Sequence, residues 1–266
     1  MEKILSGVSP LFGYCPFESI KNRLIDCRGR QKLPENAETI IVFLFPYYLG
    51  DGKYEGYDIS KYAVVPDYHD VILPLLQNAC DRLKEKFPNE EFVTFTDNSP
   101  IPEVNVAVYA GLGVKGRNGL FISKEYGSWV FIGEIVTTLK IKAERHEIKS
   151  CIGCNKCAEA CPTGSITAEG VNKETCLSHV TQRKGELTQE EKKLIIKSGC
   201  LWGCDICQNV CPMNINIKTN LHKVFKSDIR LTADADILDG RAYGWRGRKT
   251  IERNINIFYK EKGTVL

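Results

Sequence analysis

The stretch SCIGCNKCAEACPTG (150–164) carries four cysteines at the spacing C-x2-C-x2-C-x3-C-P, and a related run, GCDICQNVCPMN, follows at 203–214. In two-cluster ferredoxins, three thiolates of such a run bind one four-iron cube, and the fourth, before proline, binds the partner cube. Two reciprocal runs therefore predict two neighbouring [4Fe–4S] clusters. The rule assigns cluster one to Cys151, Cys154, Cys157 and Cys211, and gives cluster two Cys161, Cys204 and Cys207.

The fourth ligand of cluster two is left open by spacing alone. Cys200 would complete a C-x3-C-x2-C run, and Cys176, fifteen residues after Cys161, is the rival. Zinc is disfavoured because structural zinc sites use four-ligand pairs of the CxxC…CxxC kind. The remaining cysteines, Cys15, Cys27 and Cys80, are expected to be buried thiols without a metal.

Composition limits the class of protein. The chain has 266 residues, 12 cysteines, 43% hydrophobic residues and a net charge of +3. That charge is too small to indicate nucleic-acid binding by itself. The first residues, MEKILSGVSP, form no apolar signal region, and the longest apolar run, 40–45, is far shorter than the roughly 20 residues of a membrane span. We therefore expect a cytoplasmic protein, in which clustered cysteines bind metal rather than form disulfides.

The hydrophobic pattern predicts an α+β fold in three segments: an α/β unit (1–145), a ferredoxin-like double-cluster unit (146–218) and a basic segment (219–266). Strands are predicted in ETIIVFLFPYYL, EFVTFTD and SWVFIGEIVTTLKI. DVILPLLQNACDRLKEKF has helical spacing, with Pro74 near its first turn. LTQEEKKLIIKSG is a second predicted helix, capped by Thr188 and ended by Gly199.

GLGVKG (111–116) matches the G-x-G-x-x-G pattern of dinucleotide sites, with Glu134 as the acid that such a site requires about 20 residues on. The residues that follow predict loop and strand instead of helix, which argues against nicotinamide. Close approach of the backbone to another flat or anionic ligand is favoured, and a simple tight turn is the alternative.

Four further features have plain structural explanations. Asp97 in TDNSP is typical of a turn; as a catalytic acid it would need burial to raise its pKa. His69 and His146 are isolated histidines without a predicted role. The basic stretch RAYGWRGRKTIERN (241–254) is typical of a solvated face, although its interleaved Tyr243 and Trp245 also suit nucleic-acid contact.

Several stretches together resemble the cobalamin-dependent epoxyqueuosine reductases, over about residues 40–256. They are SKYAVVPDYH (60–69), DNSPIPE (97–103), AGLGVKGRN (110–118), YGSWVFIGE (126–134), TCLSHVT (175–181), GRKTIERN (247–254) and the two cysteine runs.

The resemblance implies site residues that spacing did not give. It makes Cys176 the fourth ligand of cluster two, places a corrinoid against the first segment and puts Asp97 at the proton donor. Lys61 stands where the family usually has arginine near the corrinoid. Phe121, Ile132 and Ser178 fall at positions expected to touch it, in part through the backbone.

The implied function is reduction of epoxyqueuosine to queuosine in tRNA, with electrons from an external donor such as ferredoxin or flavodoxin. The sequence departs from the family at Val104, where arginine is usual, and at Gly116-Arg117-Asn118-Gly119. Longer members continue into helical repeats, whereas this sequence ends at Leu266. The alternatives are a corrinoid reductase of small molecules, akin to reductive dehalogenases, and a two-cluster ferredoxin-type carrier.

Overall fold

The computed structural model describes residues 1–261. Its strands are β1 (Phe12–Pro16), β2 (Thr39–Pro46), β3 (Phe92–Phe95), β4 (Gly113–Lys115), β5 (Phe121–Ser123) and β6 (Val130–Thr137). Its α-helices are α1 (Glu2–Val8), α2 (Lys61–Val64), α3 (Tyr68–Lys86), α4 (Glu103–Tyr109), α5 (Lys156–Glu159), α6 (Leu177–Gln182), α7 (Gln189–Ser198), α8 (Ile206–Asn209) and α9 (Arg248–Glu261). Short 3₁₀ turns join them.

A four-stranded antiparallel sheet of order β1-β2-β6-β3 is the centre of the fold. All eight residues of β2 are buried, since alternate side chains enter two different cores. Ile41, Phe43 and Phe45 face the core that includes α3, whereas Ile40 and Val42 face the core under α4. A strand covered on both faces needs a continuous apolar run, and the three predicted strands are confirmed as β2, β3 and β6.

Helix α3 begins earlier than its hydrophobic pattern indicates. The Asp67 side chain accepts a hydrogen bond from the His69 amide at 3.0 Å, which caps the helix before Tyr68. Pro74 consequently lies in the helix interior and not in the first turn, and its position removes one hydrogen bond of the ladder. The helix begins at Tyr68 because its cap, Asp67, lies before the first residue of the apolar pattern, and that pattern alone does not indicate the start.

Helix α7 follows its sequence closely. Thr188 and Glu191 form a reciprocal capping box, and Gly199 ends the helix in a left-handed conformation at φ 69°. Both end signals act within a few residues, so local sequence suffices to predict them.

The GLGVKG motif contains β4, the first strand of the β4–β5 hairpin, so the prediction of loop and strand instead of helix after its glycines is confirmed. A Cβ at Gly113 would lie 2.3 Å from the Ile122 carbonyl oxygen and 2.5 Å from the Phe121 ring. At Gly111 (φ 76°) it would meet the His146 ring at 2.9 Å. These glycines therefore permit close packing of the chain against itself, and His146 has a structural role.

The α+β fold class is confirmed. The larger core includes residues of all three predicted segments, for example Phe43, Leu177 and Tyr243. Tyr243 and Arg241 are almost fully buried, and α9 packs on α7, so this part of the basic segment is not a solvated face. The boundaries at 145 and 218 stay a prediction. Among the residues that the structure describes, no helix combines the length and apolar character that a membrane span needs.

Candidate functional site

The fold gathers the two cysteine runs into two sets. Cys157 and Cys211 lie within electrostatic reach of Cys151, and Cys211 also of Cys154. Cys204 lies within reach of Cys161 and Cys176, and Cys207 within reach of Cys204 and Cys176. The short helices α5 and α8, which carry Cys157 and Cys207, pack against each other. This crossing arrangement matches the ligand sets expected for two clusters.

Burial distinguishes the two sets. Cys154 is exposed, as is the neighbouring Ile152 at 66%, so the first set lies at the surface. Burial raises the pKa of the Cys204 and Cys207 thiols to about 12. Bound iron would offset this cost, because a coordinating thiol is deprotonated by the metal.

Cys200 differs from Cys176 in its contacts. Its Sγ lies 3.3 Å from the Trp202 carbonyl oxygen and 3.4 Å from that of Gly203, as a thiol donor would. Cys176 stands at the start of α6 and borders a large cavity together with Cys204 and Cys207. Cys200 also lies within electrostatic reach of Cys204, so the assignment of Cys176 as the fourth ligand stays a prediction.

A cavity of about 570 Å³, here called the central cavity, lies between the sheet and the second cysteine set. Its walls are largely aromatic and aliphatic. Predicted site residues in its lining are Asp97, Phe121, Ile132, Ser178, Cys176, Cys204 and Cys207. The fold thus brings four of the five expected corrinoid contacts to one cavity that the second cysteine set borders.

Lys61 is the exception, because it is not among the residues that line the central cavity. Its amide donates to Asp205 at 2.7 Å, and its ammonium group hydrogen-bonds Asn209. Aromatic rings surround the ammonium, with the Trp129 centroid at 4.6 Å and that of Tyr54 at 5.2 Å. Burial lowers the pKa of Lys61. The lysine joins α2 to α8, and its contact with a corrinoid stays a prediction.

Asp97 lies just after β3 with a left-handed backbone, φ 51°, which Asp tolerates better than most residues. His69 joins it: Nε2 lies 3.3 Å from the Asp97 carboxylate, and Nδ1 lies 2.8 Å from Asp67. The His69 hydrogen bond lowers the pKa of Asp97, and the bond from the Tyr68 hydroxyl adds to this against the opposing effect of burial. As a catalytic acid, Asp97 would need burial to raise its pKa; instead, the two donors to its carboxylate lower that pKa.

The same contacts load a proton onto His69. Burial lowers its pKa, but the hydrogen bonds and charges of Asp67 and Asp97 outweigh burial and raise it to about 9. At neutral pH the pair is therefore an imidazolium and a carboxylate, and the proton available to Asp97 resides on His69.

This pair makes stability depend on pH. The raised pKa of His69 contributes stability that is fully present below its unfolded value of about 6.5 and is lost as pH rises through about 9. We expect H69Q to lower the melting temperature at pH 6 and to approach the wild-type value above pH 9. Thermal unfolding across this range checks it, with the exposed E85Q as control; a constant difference at every pH would contradict the pairing.

A second cavity of about 620 Å³, the outer cavity, opens beside the first. Asp97, Tyr68 and Gln182 line both, and His69 and Trp245 line the outer one. Trp245 is 60% exposed, and the Arg246 guanidinium lies 3.7 Å from its ring centroid. Asp97 thus stands where the two cavities meet.

Basic side chains form a neighbouring pocket of about 450 Å³, here called the basic pocket. Its cationic residues are Lys184, Arg246, Arg248, Lys249 and Arg253. Arg253 is fixed by the carbonyl oxygens of Arg183 and Gly185. The pocket adjoins the outer cavity through the Trp245–Arg246 pair and suits a polyanion.

Sequence reasoning missed His69, Glu103 and Glu134 as members of this site. Glu103 lines the central cavity, and Glu134 is fully buried on β6. The available signal was the shared position of these residues in the strings 60–69, 97–103 and 126–134, each of which ends on one of them.

Two family models match separate parts of the chain. Residues 150–214 match the 4Fe-4S double cluster binding domain, and residues 29–98 match the epoxyqueuosine reductase QueG model. The epoxyqueuosine reductase of Lactococcus garvieae is 34% identical over 88% of this chain and 72% of its own length. That of Listeria monocytogenes is 35% identical over 75% of this chain and 56% of its length.

Solved structures of epoxyqueuosine reductases share this fold. Epoxyqueuosine reductase from Streptococcus thermophilus superposes with a TM-score of 0.77 at 26% identity, over 97% of this chain and 80% of that one. An epoxyqueuosine reductase crystallised with an epoxyqueuosine-modified tRNA-Tyr stem loop gives 0.79 at 25% identity, with the same coverage. A catabolic reductive dehalogenase shares the fold alone, at 18% identity and a TM-score of 0.52, over 95% of this chain and 34% of that one.

The fold and the cysteine sets define an iron–sulfur oxidoreductase with two [4Fe–4S] clusters. The chain belongs to the epoxyqueuosine reductase family.

Proposed function

We propose that this chain reduces epoxyqueuosine to queuosine in tRNA, with two [4Fe–4S] clusters and cobalamin as cofactors. One observation carries the proposal: the cavity bordered by Cys176, Cys204 and Cys207 is also bordered by Asp97. Electron delivery and proton delivery would thus meet in one cavity, which a simple electron carrier does not need.

The lining of the central cavity suits the flat face of a corrin ring, because aromatic and aliphatic side chains, among them Phe121, Phe131 and Ile132, form part of its walls. When bound, the corrinoid supplies the cobalt chemistry that reduces the epoxide carbon, and the chain supplies orientation, electrons and protons. Ser178 and Asp97 would hold it from opposite parts of the chain.

The order of the clusters follows from burial. The first cysteine set lies at the surface, and the second borders the cavity. Cluster one would therefore accept electrons from the donor, and cluster two would deliver them to the cavity. Asn118 Nδ2 lies 3.7 Å from Cys207 Sγ, and hydrogen bonds to cluster sulfur tune its potential. The exposed Ile152 and Ile215, each 66% exposed, suit a docking electron-donor protein such as ferredoxin or flavodoxin.

Asp97 acts as the proton donor and receives its proton from His69. The pair faces the outer cavity, from which the modified base enters, so the departing oxygen meets Asp97 at the junction of the cavities. General-acid help of this kind is worth about 10²–10⁴-fold in rate.

Support for tRNA comes from Trp245 and the basic pocket. An exposed indole beside the entrance can stack on a base, and the lysines and arginines beside it can contact phosphates. The related enzyme crystallised with a modified stem loop supports the same partner for this chain. A small-molecule reductase would have no use for such a surface.

We expect W245A to weaken binding of an epoxyqueuosine-containing stem loop by about 1–3 kcal/mol, the range for loss of one stacked base. We expect K249A to weaken binding less and to reduce its salt dependence by about one counterion. Fluorescence anisotropy at several salt concentrations separates the two effects. Equal affinity of wild type and W245A would remove the stacking role.

The deciding experiment is anaerobic incubation of the reconstituted protein with cobalamin, a chemical reductant and epoxyqueuosine-containing tRNA. Nucleoside mass spectrometry is expected to show loss of one oxygen from the modified base. Full cluster content without loss of oxygen would refute the reductase, and failure to retain cobalamin would favour the electron carrier. A cytoplasmic location stays a prediction.

A further inference from the structure

Glu134 is a buried acid that the proposed reaction does not yet use. It is 0% exposed, and neither carboxyl oxygen has a hydrogen-bond partner among the residues described. It lies on β6 between Ile132 and Val136, which both belong to the core under α4, and it pairs in register with Phe95, two residues before Asp97. An unpartnered carboxylate is very costly in such a core. Burial, then the nearby Glu103 and Asp97 charges, raises the pKa of Glu134 well above its usual range.

Glu103 lies within electrostatic reach of both this buried acid and Asp97. It is the first residue of α4 and lines the central cavity with Asp97, whose backbone amide donates to its carboxyl group. Burial and the Asp97 charge raise the pKa of Glu103 to about 7, against the opposing effects of that amide and of the positive His69 and Lys173. The charged groups that face Glu103 are thus Asp97, His69, Lys173 and, once ionised, Glu134.

Reduction of the epoxide requires two protons at the departing oxygen. Removal of the epoxide oxygen breaks both C–O bonds, forms a carbon–carbon double bond and releases water. It consumes two electrons, which the external donor supplies through the clusters, and two protons. Asp97 is ionised at rest, and His69 can load it once. A second proton is needed while bound RNA covers the outer cavity.

We propose that Glu103, half-buried on the wall of the central cavity, and the fully buried Glu134 form an acid pair that supplies this second proton through Asp97. Glu103 gives its proton to the Asp97 carboxylate, and the hydroxyl of Glu134 donates to the carboxylate then left on Glu103. Glu134 keeps its own proton, and solvent returns one proton to His69 and one to Glu103 after product leaves. The inference rests on the proposed function. Glu103 is the better second donor because it holds its proton less tightly than His69 would after reloading.

The protonation of Glu134 is tested without substrate or cobalamin. Infrared spectra of wild type and E134Q at pH 7 are expected to differ by one protonated-carboxyl carbonyl band. E85Q, which alters an exposed glutamate, is expected to leave that band in place. A band that survives in E134Q would show that Glu134 is ionised or is not its source, and would overturn the acid pair.

The transfer is tested by single-turnover rates of pre-reduced, cofactor-loaded protein from pH 6 to 9. The wild-type rate is expected to fall as pH rises through about 7, where Glu103 loses its proton, and E103Q is expected to be slower without that limb. E134L removes the hydroxyl and is expected to lose about 10- to 100-fold, the range for one hydrogen bond to a charged group. E134Q, whose amide still donates, is expected to lose less than E134L.

The outcomes separate the two claims. A purely structural role would slow E103Q while keeping its alkaline limb, and that result would overturn the inference. Equal losses in E134L and E134Q would do the same, since folding is checked by the iron content of both. Wild-type protein that never removes the oxygen would refute the proposed function instead, and the infrared difference would still decide whether Glu134 is neutral.

Discussion

D97N is expected to lose about 10²–10⁴-fold in the rate of epoxide reduction, the usual contribution of a general acid. The amide that replaces the carboxylate could still accept from Tyr68, and asparagine tolerates the same left-handed turn, so the fold should be retained. The amide cannot take a proton from His69 and pass it to the departing oxygen. Single-turnover kinetics on modified tRNA, followed by nucleoside mass spectrometry, measure the loss.

Control measurements on D97N separate loss of proton delivery from loss of the cofactors. Cluster reduction and iron content in D97N are expected to match the wild type, because the predicted cluster ligands are cysteines. Cobalamin retention is measured separately, because Asp97 also lines the central cavity. H69Q is expected to be impaired less than D97N, since Glu103 can still load the carboxylate. If D97N reduces the epoxide at the wild-type rate, the proton comes from another group and Asp97 serves only the turn.

The pH dependence of the reaction follows from the same pair. His69 must be protonated to load Asp97, so the rate is expected to decline as pH rises through about 9. Glu103 adds a decline through about 7. Two declining limbs on the alkaline side thus correspond to two stored protons, and H69Q should remove only the upper one.

Local sequence patterns were sufficient to predict those features of the fold whose stabilising contacts join residues close together in the chain. The ends of α7 depend on Thr188, Glu191 and Gly199, which act within one helix. The cysteine spacing is equally local, because one loop and one short helix set three thiolates around a cube. The double-cluster unit was therefore predictable from a few dozen residues.

The acid–base groups were not predictable in this way, because chain-distant segments assemble them. His69 and Asp97 are 28 residues apart and meet only because α3 and β3 pack together. Glu134 looked like the acid of a dinucleotide motif, but its strand pairs with β3 and buries the side chain under α4. Periodicity places a residue on a face, and only the pairing of strands says which other residues share it.

C176S and C200S are expected to give the second large effect, and they are matched variants of neighbouring thiols. With two [4Fe–4S] clusters the wild type should carry about eight irons per chain. C176S should retain about four and lose electron delivery to the cavity, because Cys176 lies beside Cys204 and Cys207 on the cavity wall. C200S should retain about eight, because the Cys200 thiol is already satisfied by two carbonyl oxygens.

Anaerobic iron and sulfide analysis, with electron paramagnetic resonance of the reduced protein, decides between them. Loss of four irons in C200S with none in C176S would exchange the two assignments. The same variant tests the electron path. Cluster two is the one that borders the central cavity. A C176S protein with an intact cluster one should therefore still accept electrons from its donor, but it should fail to pass them to the epoxide. Retained epoxide reduction in that protein would show that cluster one reaches the cavity directly, and the order of the clusters inferred from burial would be wrong.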